Sequence, residues 1–446
     1  MDELWTNLGP EVINISYTGS RSIIHRVIQI DFSSISAFLT GFSTYPQPLR
    51  LRLRIFTIFF LYKHTHPAVR KGELSTIMKL VFDKADLVKS VGIAMKAVSG
   101  KTTMPILECI LIDASSNVIK FTSNDMELGI ETIVTGMILE RGIVALDAKI
   151  FSEIVRKLPD NQVTIETDEN LVTTITCEKA KFNIPGQSGE DFSYLPILET
   201  SDCVSISQFT LKELIRQTIF SIAANENNKL MTGEPFEIKD NTLRVVSLDG
   251  HRIAIRRIEL KDSYPDRKVV VPGKTLNEIS KILSGEMDDQ IDIYFSENHI
   301  MFKFDDTTVV SRLIDGEYFR IDQMLSSDYE TKVTINKKEF LSCIDRATLL
   351  VKEGDKKPII IDIQDGAMEL QINSAMGSMK EEIDINKEGK DIMIGFNPKF
   401  LIDALRVIDD EEISIYLVNP KAPCFIRNEE ESYIYLILPV NFNSVR

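Results

Sequence analysis

The sequence predicts an α+β fold built from three repeated domains, each with two helices packed on antiparallel sheets. Two patterns predict it: amphipathic helix patterns recur at a nearly constant spacing, and alternating strand patterns follow each of them. The length agrees, because 446 residues at roughly 150 per domain give about three domains.

Six short amphipathic patterns form two interleaved sets of three. In one set, Lys149, Lys274 and Lys399 open equivalent patterns and lie 125 residues apart. Members of the other set recur every 126 to 127 residues. Apolar residues at about i, i+3, i+4 and i+7 predict a helix in each case. The predicted helices cover 83–99, 147–158, 210–224, 274–284, 337–351 and 398–408.

Segments rich in Val, Ile, Thr and Phe follow each helix and alternate apolar with polar residues. A period of two with polar turns between segments is typical of antiparallel strands that have one exposed face. The repeat pattern breaks near 199–202 and 326–329. We therefore expect domains at 78–200, 201–327 and 328–446.

The first seventy-seven residues differ from the rest. They hold the one tryptophan, three of the five histidines, and 8 Lys/Arg against 5 Asp/Glu. Their most apolar run, IFTIFFLY at 55–62, is far shorter than the roughly 20 residues that span a bilayer. One interpretation is an amphipathic anchor or targeting arm. We instead expect a mis-called start or a disordered extension, with translation beginning at Met78.

The charge is unevenly distributed over the repeats. The whole chain has a net charge of −15, which argues against a protein that coats nucleic acid indiscriminately. Yet the six predicted helices carry 15 Lys/Arg and 9 Asp/Glu, whereas the rest of 78–446 carries 28 and 52. If the helices line one surface, that surface attracts phosphate while the rest repels it. The alternative is that these lysines only solvate helix faces.

No motif predicts a cofactor, a metal site or catalysis. The five cysteines are scattered without a CxxC, which fits a reducing compartment. Gly100-Lys101-Thr102 lacks the earlier glycine of a phosphate-binding loop, since Met95 stands there, and it follows a helix. The acid–base candidates in Asp249-Gly250-His251-Arg252 have no motif-placed nucleophile beside them.

The ordered set of local motifs resembles the bacterial sliding clamps, the beta subunits of DNA polymerase III. The resemblance covers 78–446 and rests on matches spread over all three repeats. These are MKLVF from Met78, KTTMPIL from Lys101, VSLDGHRIAI from Val246, SRLIDGEYF from Ser311, IGFNPKFLIDAL from Ile394 and YLILPV from Tyr435.

The resemblance implies a non-catalytic processivity factor in DNA replication. Two subunits would close head to tail into a ring around duplex DNA, with helices lining the hole. Implied partners are double-stranded DNA without sequence preference, a second copy of the chain, the replicative polymerase alpha subunit, the clamp loader and other clamp-motif proteins. The implied location is the bacterial cytoplasm in association with the nucleoid, with no membrane contact.

The resemblance also implies three sets of site residues. The DNA-binding set is Lys101, Lys149, Asn225, Lys229 and Leu230. The peptide-binding groove is Met231, Leu248, Gly250, His251, Arg252 and Ile253 with Leu436, Leu438, Pro439, Val440 and Asn441. The subunit interface is Phe182, Lys179 and Lys181 of the first domain against Leu349 and Leu350 of the third.

This sequence departs from the family pattern at several of these positions. Lysine replaces the usual arginine at 101 and 149, which keeps the charge and loses the planar fork. The usual aromatic pair near Asn225 is absent, and Leu438, Val440 and Asn441 replace the methionines and arginine of the groove. Two other hypotheses stay open: an acidic three-repeat interaction scaffold that does not encircle DNA, and an enzyme whose site has no sequence motif.

Overall fold

The computed structural model describes residues 78–100, 102–198, 203–224, 228–351 and 357–442. The expectations for 1–77, Lys101 and Asn225 therefore lie outside the described residues. Within that part of the chain the structure has six α-helices, one at each predicted position. They are α1 (Lys84–Ala94), α2 (Ala148–Lys157), α3 (Gln208–Thr218), α4 (Gly273–Ser280), α5 (Lys337–Thr348) and α6 (Pro398–Val407).

Four of the six helices begin at a side-chain cap. Asp147, Ser207, Asn336 and Asn397 each accept a hydrogen bond from a backbone N–H of the first turn. Such caps satisfy N–H groups that have no partner within a helix. The apolar stripe of each helix then faces a sheet, as Phe151 and Val155 do in α2.

The first repeat contains nine strands around α1 and α2. They are β1 (Met78–Asp83), β2 (Cys109–Asp113), β3 (Ile119–Asn124), β4 (Leu128–Val134), β5 (Met137–Glu140), β6 (Ile143–Asp147), β7 (Gln162–Thr167), β8 (Val172–Cys177) and β9 (Ala180–Ser188). Their core includes Phe82, Phe121 and Phe151, whose rings meet edge to face.

The second and third repeats follow the same order, with some strands fused in the second. Those of the second are β10 (Cys203–Ser207), β11 (Gly233–Leu248), β12 (Arg252–Pro272), β13 (Gln290–Phe295), β14 (His299–Phe304) and β15 (Thr307–Arg312). Those of the third are β16 (Thr331–Asn336), β17 (Ile359–Gln364), β18 (Ala367–Ser374), β19 (Gly377–Asp384), β20 (Asn386–Gly389), β21 (Ile392–Phe396), β22 (Glu412–Leu417), β23 (Cys424–Arg427) and β24 (Tyr433–Ile437).

Two antiparallel strand pairs join consecutive repeats. At the first joint, β4 pairs with β15, so that Leu128–Thr132 run against Thr307–Ser311. At the second joint, β12 pairs with β24, so that Arg252–Arg256 run against Tyr433–Ile437. The sheets therefore continue from one repeat into the next, and the backbone hydrogen bonds of the edge strands are satisfied there.

A glutamate lies fully buried in the second repeat. The side chain of Glu234 is inaccessible to solvent, and its Oε2 accepts a hydrogen bond from Thr218 Oγ1 at 3.2 Å. Its Oε1 has no hydrogen-bond partner among the described residues. Burial raises the pKa of Glu234 well above its ordinary value, and the bond from Thr218 offsets this only in part.

We predict that replacing Glu234 with glutamine makes stability less dependent on pH. The unfolded carboxyl loses its proton near its ordinary pKa, whereas the buried carboxyl keeps its proton to higher pH. The folded state of the natural chain therefore binds more protons, and its stability falls as pH rises through that window. The stability measured by thermal unfolding should fall more between pH 5 and pH 8 in the natural chain than in E234Q. An equal fall in both would contradict the assignment.

Candidate functional site

A tight turn between β11 and β12 begins the candidate groove. Asp249 Oδ1 accepts hydrogen bonds from the backbone N–H of His251 at 2.9 Å and of Arg252 at 3.1 Å. Gly250 has φ +86°, a conformation that costs a residue with a side chain roughly 1–2 kcal/mol. This turn leaves Gly250 and the ring of His251 exposed at the edge of the sheet.

The structure brings together most of the predicted groove residues. Leu248, Ile253 and Leu436 are buried in one apolar cluster, and Met231 packs against it. The C-terminal segment joins this cluster, because the N–H of Leu438 donates to the carbonyl of His251 at 2.9 Å. Leu438 is 38% exposed, Pro439 and Val440 are half-buried, and Asn441 is exposed. The result is an apolar surface between the second and third repeats with a partly open edge.

The sequence did not identify every residue of this cluster. Tyr318 and Ile321 are buried in it, and Phe319 and Leu325 pack against it from the segment after β15. The SRLIDGEYF motif pointed to this segment without assigning it to the groove. Leu230, expected in a DNA-contacting loop, also packs against the cluster, while its neighbour Lys229 is exposed.

The helices form a connected series on which the basic residues lie. Helices α1 and α2, α3 and α4, and α5 and α6 pack as pairs, and α3 contacts α6 across the second joint. Between α1, α2 and α4 lies a cleft of about 520 Å³ whose lining includes Lys96, Arg156 and Lys274. Lys149, at the start of α2, is exposed. Lys96 and Arg156 are basic surface residues that the sequence analysis did not single out.

Among the strand edges that have no partner in the described part of the chain, those of β19 and β9 belong to strands that correspond to the ones paired at the joints. β19 pairs with β18 along one edge only. β9 pairs with β8 and, through Gly186–Ser188, with β6, so the outer edge of Ala180–Ile184 is unpaired. Phe182 is 40% exposed on β9, between exposed Lys181 and Asn183. Leu349 is 76% exposed after α5, and the Leu350 side chain lies next to Gly377 at the start of β19.

All three repeats match known sequence families in order. Residues 78–196 match the N-terminal domain of the DNA polymerase III beta subunit, 205–319 the central domain, and 322–441 the C-terminal domain. The chain belongs to the DNA polymerase III beta subunit family.

Relatives and solved structures agree with this membership. A beta sliding clamp of Staphylococcus epidermidis is 33% identical over 375 residues, which is 82% of this chain and 99% of that protein. A crystal structure of a candidate DNA polymerase III beta subunit from Eubacterium rectale is 71% identical, with a TM-score of 0.80. The DNA polymerase sliding clamp of Bacillus subtilis is 35% identical, with a TM-score of 0.79. Each alignment to these two structures covers 82% of this chain and 100% of the other.

These findings confirm the expected family, the three-repeat α+β clamp fold and the function of a polymerase processivity factor. The expected domain boundaries and individual site residues stay predictions. Among the described residues, no helix is long and apolar enough to cross a membrane, and no cluster of His, Cys, Asp or Glu could hold a metal ion. The five cysteines are free, and four of them are buried.

We predict that Gly250→Ala destabilises the chain by about 1 kcal/mol, because alanine is strained at this positive φ. The matched position in the first repeat is Met126, which has φ 75° in a turn where Asp125 Oδ1 accepts the same two backbone hydrogen bonds. Met126→Gly should therefore cause no comparable loss. Urea unfolding of both variants measures this, and an equal destabilisation of the two would contradict the strain argument.

Proposed function

We propose that two copies of this chain close into a ring around duplex DNA and tether the replicative polymerase through the apolar groove. The observation that carries the proposal is the repeated joint. Each joint pairs the strand after the Asp125 or Asp249 turn of one repeat with the last strand of the next, β4 with β15 and β12 with β24. The third copy of this pairing would join β19, the strand at the corresponding place in the third repeat, to β9, the last strand of the first. Each of them has an edge without a partner among the described residues. A head-to-tail contact that closes on itself forms a ring.

The second joint supports specific residues for the contact between subunits. There Phe220, which follows α3, packs on Tyr435 of β24 with ring centroids 5.7 Å apart. Leu349 follows α5 at the matching place, and Phe182 matches Tyr435 in the last strand of its repeat. We therefore propose that Phe182 of one subunit packs on Leu349 and Leu350 of the other. Lys179 and Lys181 then lie beside β19, which carries Glu381 and Glu382.

We predict that Phe182→Asp weakens the dimer roughly hundredfold, because it places an unpaired charge in an apolar contact. Sedimentation velocity at a series of concentrations measures the dissociation constant. Met287→Asp is the matched control, since Met287 is 69% exposed in the second repeat and away from either edge. A dimer that is unchanged in F182D would exclude this interface.

DNA would be held by closure of the ring rather than by base recognition. The basic helices supply weak, salt-screened attraction to phosphate, which lets a closed ring move along the duplex. We propose that Lys149 and Lys229, both exposed, contact the DNA. On the family resemblance we propose Lys101, Asn225 and Leu230 as further DNA-contacting residues. Lys96 and Arg156, which line the cleft between these helices, support positive potential there, whereas Lys274 in the same cleft is paired with Asp125.

The groove would take a short extended peptide with apolar anchors. Met231, Leu248, Ile253 and Leu436 form its apolar cluster, and Leu438 is exposed at its edge. The occupants we propose are the polymerase alpha subunit, the clamp loader and other clamp-motif proteins. Holding a polymerase on the ring raises its effective concentration at the primer end. This function requires binding surfaces only, so we propose a non-catalytic subunit that acts in the bacterial cytoplasm at the nucleoid.

Retention on DNA of different topology tests the ring. After loading on nicked circular DNA, we expect retention that resists high salt and disappears when the circle is linearised. Lys149→Glu should weaken association with DNA severalfold and leave peptide binding intact, because it reverses a charge on the proposed DNA face. Loss in salt from circles and linear DNA alike would exclude encirclement and favour the interaction scaffold.

A further inference from the structure

Arg252 forms a buried clasp at the second joint. Only 7% of its side chain is exposed, and its guanidinium donates to three different elements. Nε donates to Asp249 Oδ2 at 3.0 Å, Nη2 to the carbonyl of Phe220 at 2.6 Å, and Nη1 to Asp403 Oδ2 at 2.7 Å. Asp403 belongs to α6 of the third repeat, so the clasp ties the groove turn to a helix that lies on another domain.

Aromatic rings of both repeats enclose the same guanidinium. Its central carbon lies 4.5 Å from the ring centroid of Phe400 on α6 and 5.4 Å from that of Phe220. The ring of His251 stacks on Phe400 with centroids 6.0 Å apart. Because the His251 carbonyl holds the N–H of Leu438, the position of the turn also fixes the C-terminal side of the groove.

The first joint has the same turn and strand pairing but a different ion pair, in which Lys274 of α4 donates to Asp125 Oδ2 of the turn. Asp125 accepts hydrogen bonds from the backbone N–H of Glu127 and Leu128, as Asp249 does from His251 and Arg252. Leu128 stands in the place of Arg252 and is buried in the apolar core. Glu278, 125 residues before Asp403, pairs instead with Lys281, the residue after its own helix. Each joint therefore has an ion pair between its turn and a helix of the next repeat, and at the second joint a buried arginine of the turn makes that pair beside the apolar groove.

We infer that Asp403 is a positioning residue for the peptide groove. It touches no groove ligand itself; it holds Arg252, and through Arg252 it keeps the Asp249–Arg252 turn and Leu438 in the shape that binds peptide. Arg252 is buried, and it accordingly supports the turn that forms one side of the groove. Without the Asp403 carboxylate, the buried guanidinium of Arg252 keeps fewer charge-assisted hydrogen bonds, which are stronger than hydrogen bonds between neutral groups. This inference rests on the proposed peptide-binding function of the groove.

The test compares Asp403→Asn with Glu278→Gln, the matched change on α4, because Glu278 takes no part in the ion pair between Lys274 and Asp125 at the first joint. The probe is a fluorescent synthetic peptide of leucine and phenylalanine anchors alternating with polar residues, titrated with the full dimeric chain. We expect D403N to bind it about tenfold more weakly and E278Q to bind it as the natural chain does. The proton resonances of the His251 ring, assigned with a His251→Gln variant, should shift in D403N alone, because the ring leaves its stack on Phe400.

Three results would overturn the inference. Natural affinity in D403N would show that the clasp does not shape the groove, while the groove itself would stand. An equal loss in D403N and E278Q would show a general effect of removing a helix carboxylate. Absence of peptide binding by the natural chain would overturn the proposed groove function and the inference together. If D403N unfolds, Phe400→Leu serves as the second variant, because it removes the stacking and leaves the Asp403–Arg252 ion pair in place.

Discussion

Antiparallel pairing between edge strands is the constraint on which the rest of this structure depends. A sheet edge exposes N–H and C=O groups that must find partners in another segment or in water. Here β4 and β12 find theirs in the last strand of the following repeat. The pairing fixes register, and register decides which side chains face the helices and which face outward. Leu128 and Arg252 thereby lie at the start of equivalent strands, where Leu128 joins the apolar core and Arg252 forms the ion pairs of the second joint.

The distribution of charge is a second consequence of the repeated unit. Each repeat places its two helices on one side of its sheets, so a slight excess of lysine and arginine in every helix accumulates on one surface. The strands and loops carry the acidic excess elsewhere. A chain with net charge −15 can in this way present a surface that attracts phosphate. Because the attraction comes from many separated charges, it is weak at each position and sensitive to salt.

The sequence predicted the elements well and their long-range contacts poorly. Periodicity located all six helices, although α1 and α3 end earlier than expected because short 3-10 turns follow them. It also placed strands such as Gln162–Thr167 and Gln290–Phe295. Resemblance identified the Asp249–Arg252 turn, but the partner of Arg252 lies 151 residues further along the chain. No local pattern reports a contact of that separation, and the burial of Glu234 is equally invisible in a strand that reads as ordinary.

The equivalence of the joints has a consequence for chain connectivity. If β19 pairs with β9 of another copy as β4 pairs with β15, a ring of two chains contains six similar joints. In four of them the two repeats belong to the same chain, and in the other two they belong to different chains. The position of the chain termini, and not the shape of the joint surfaces, then decides which repeats belong to the same chain. Consider a circularly permuted chain that starts at Cys203, runs through the third repeat, and continues by an added linker into Met78–Leu198. A ring of two such chains would contain the same six joints. The permuted chain would assemble the same ring with its termini at a different place.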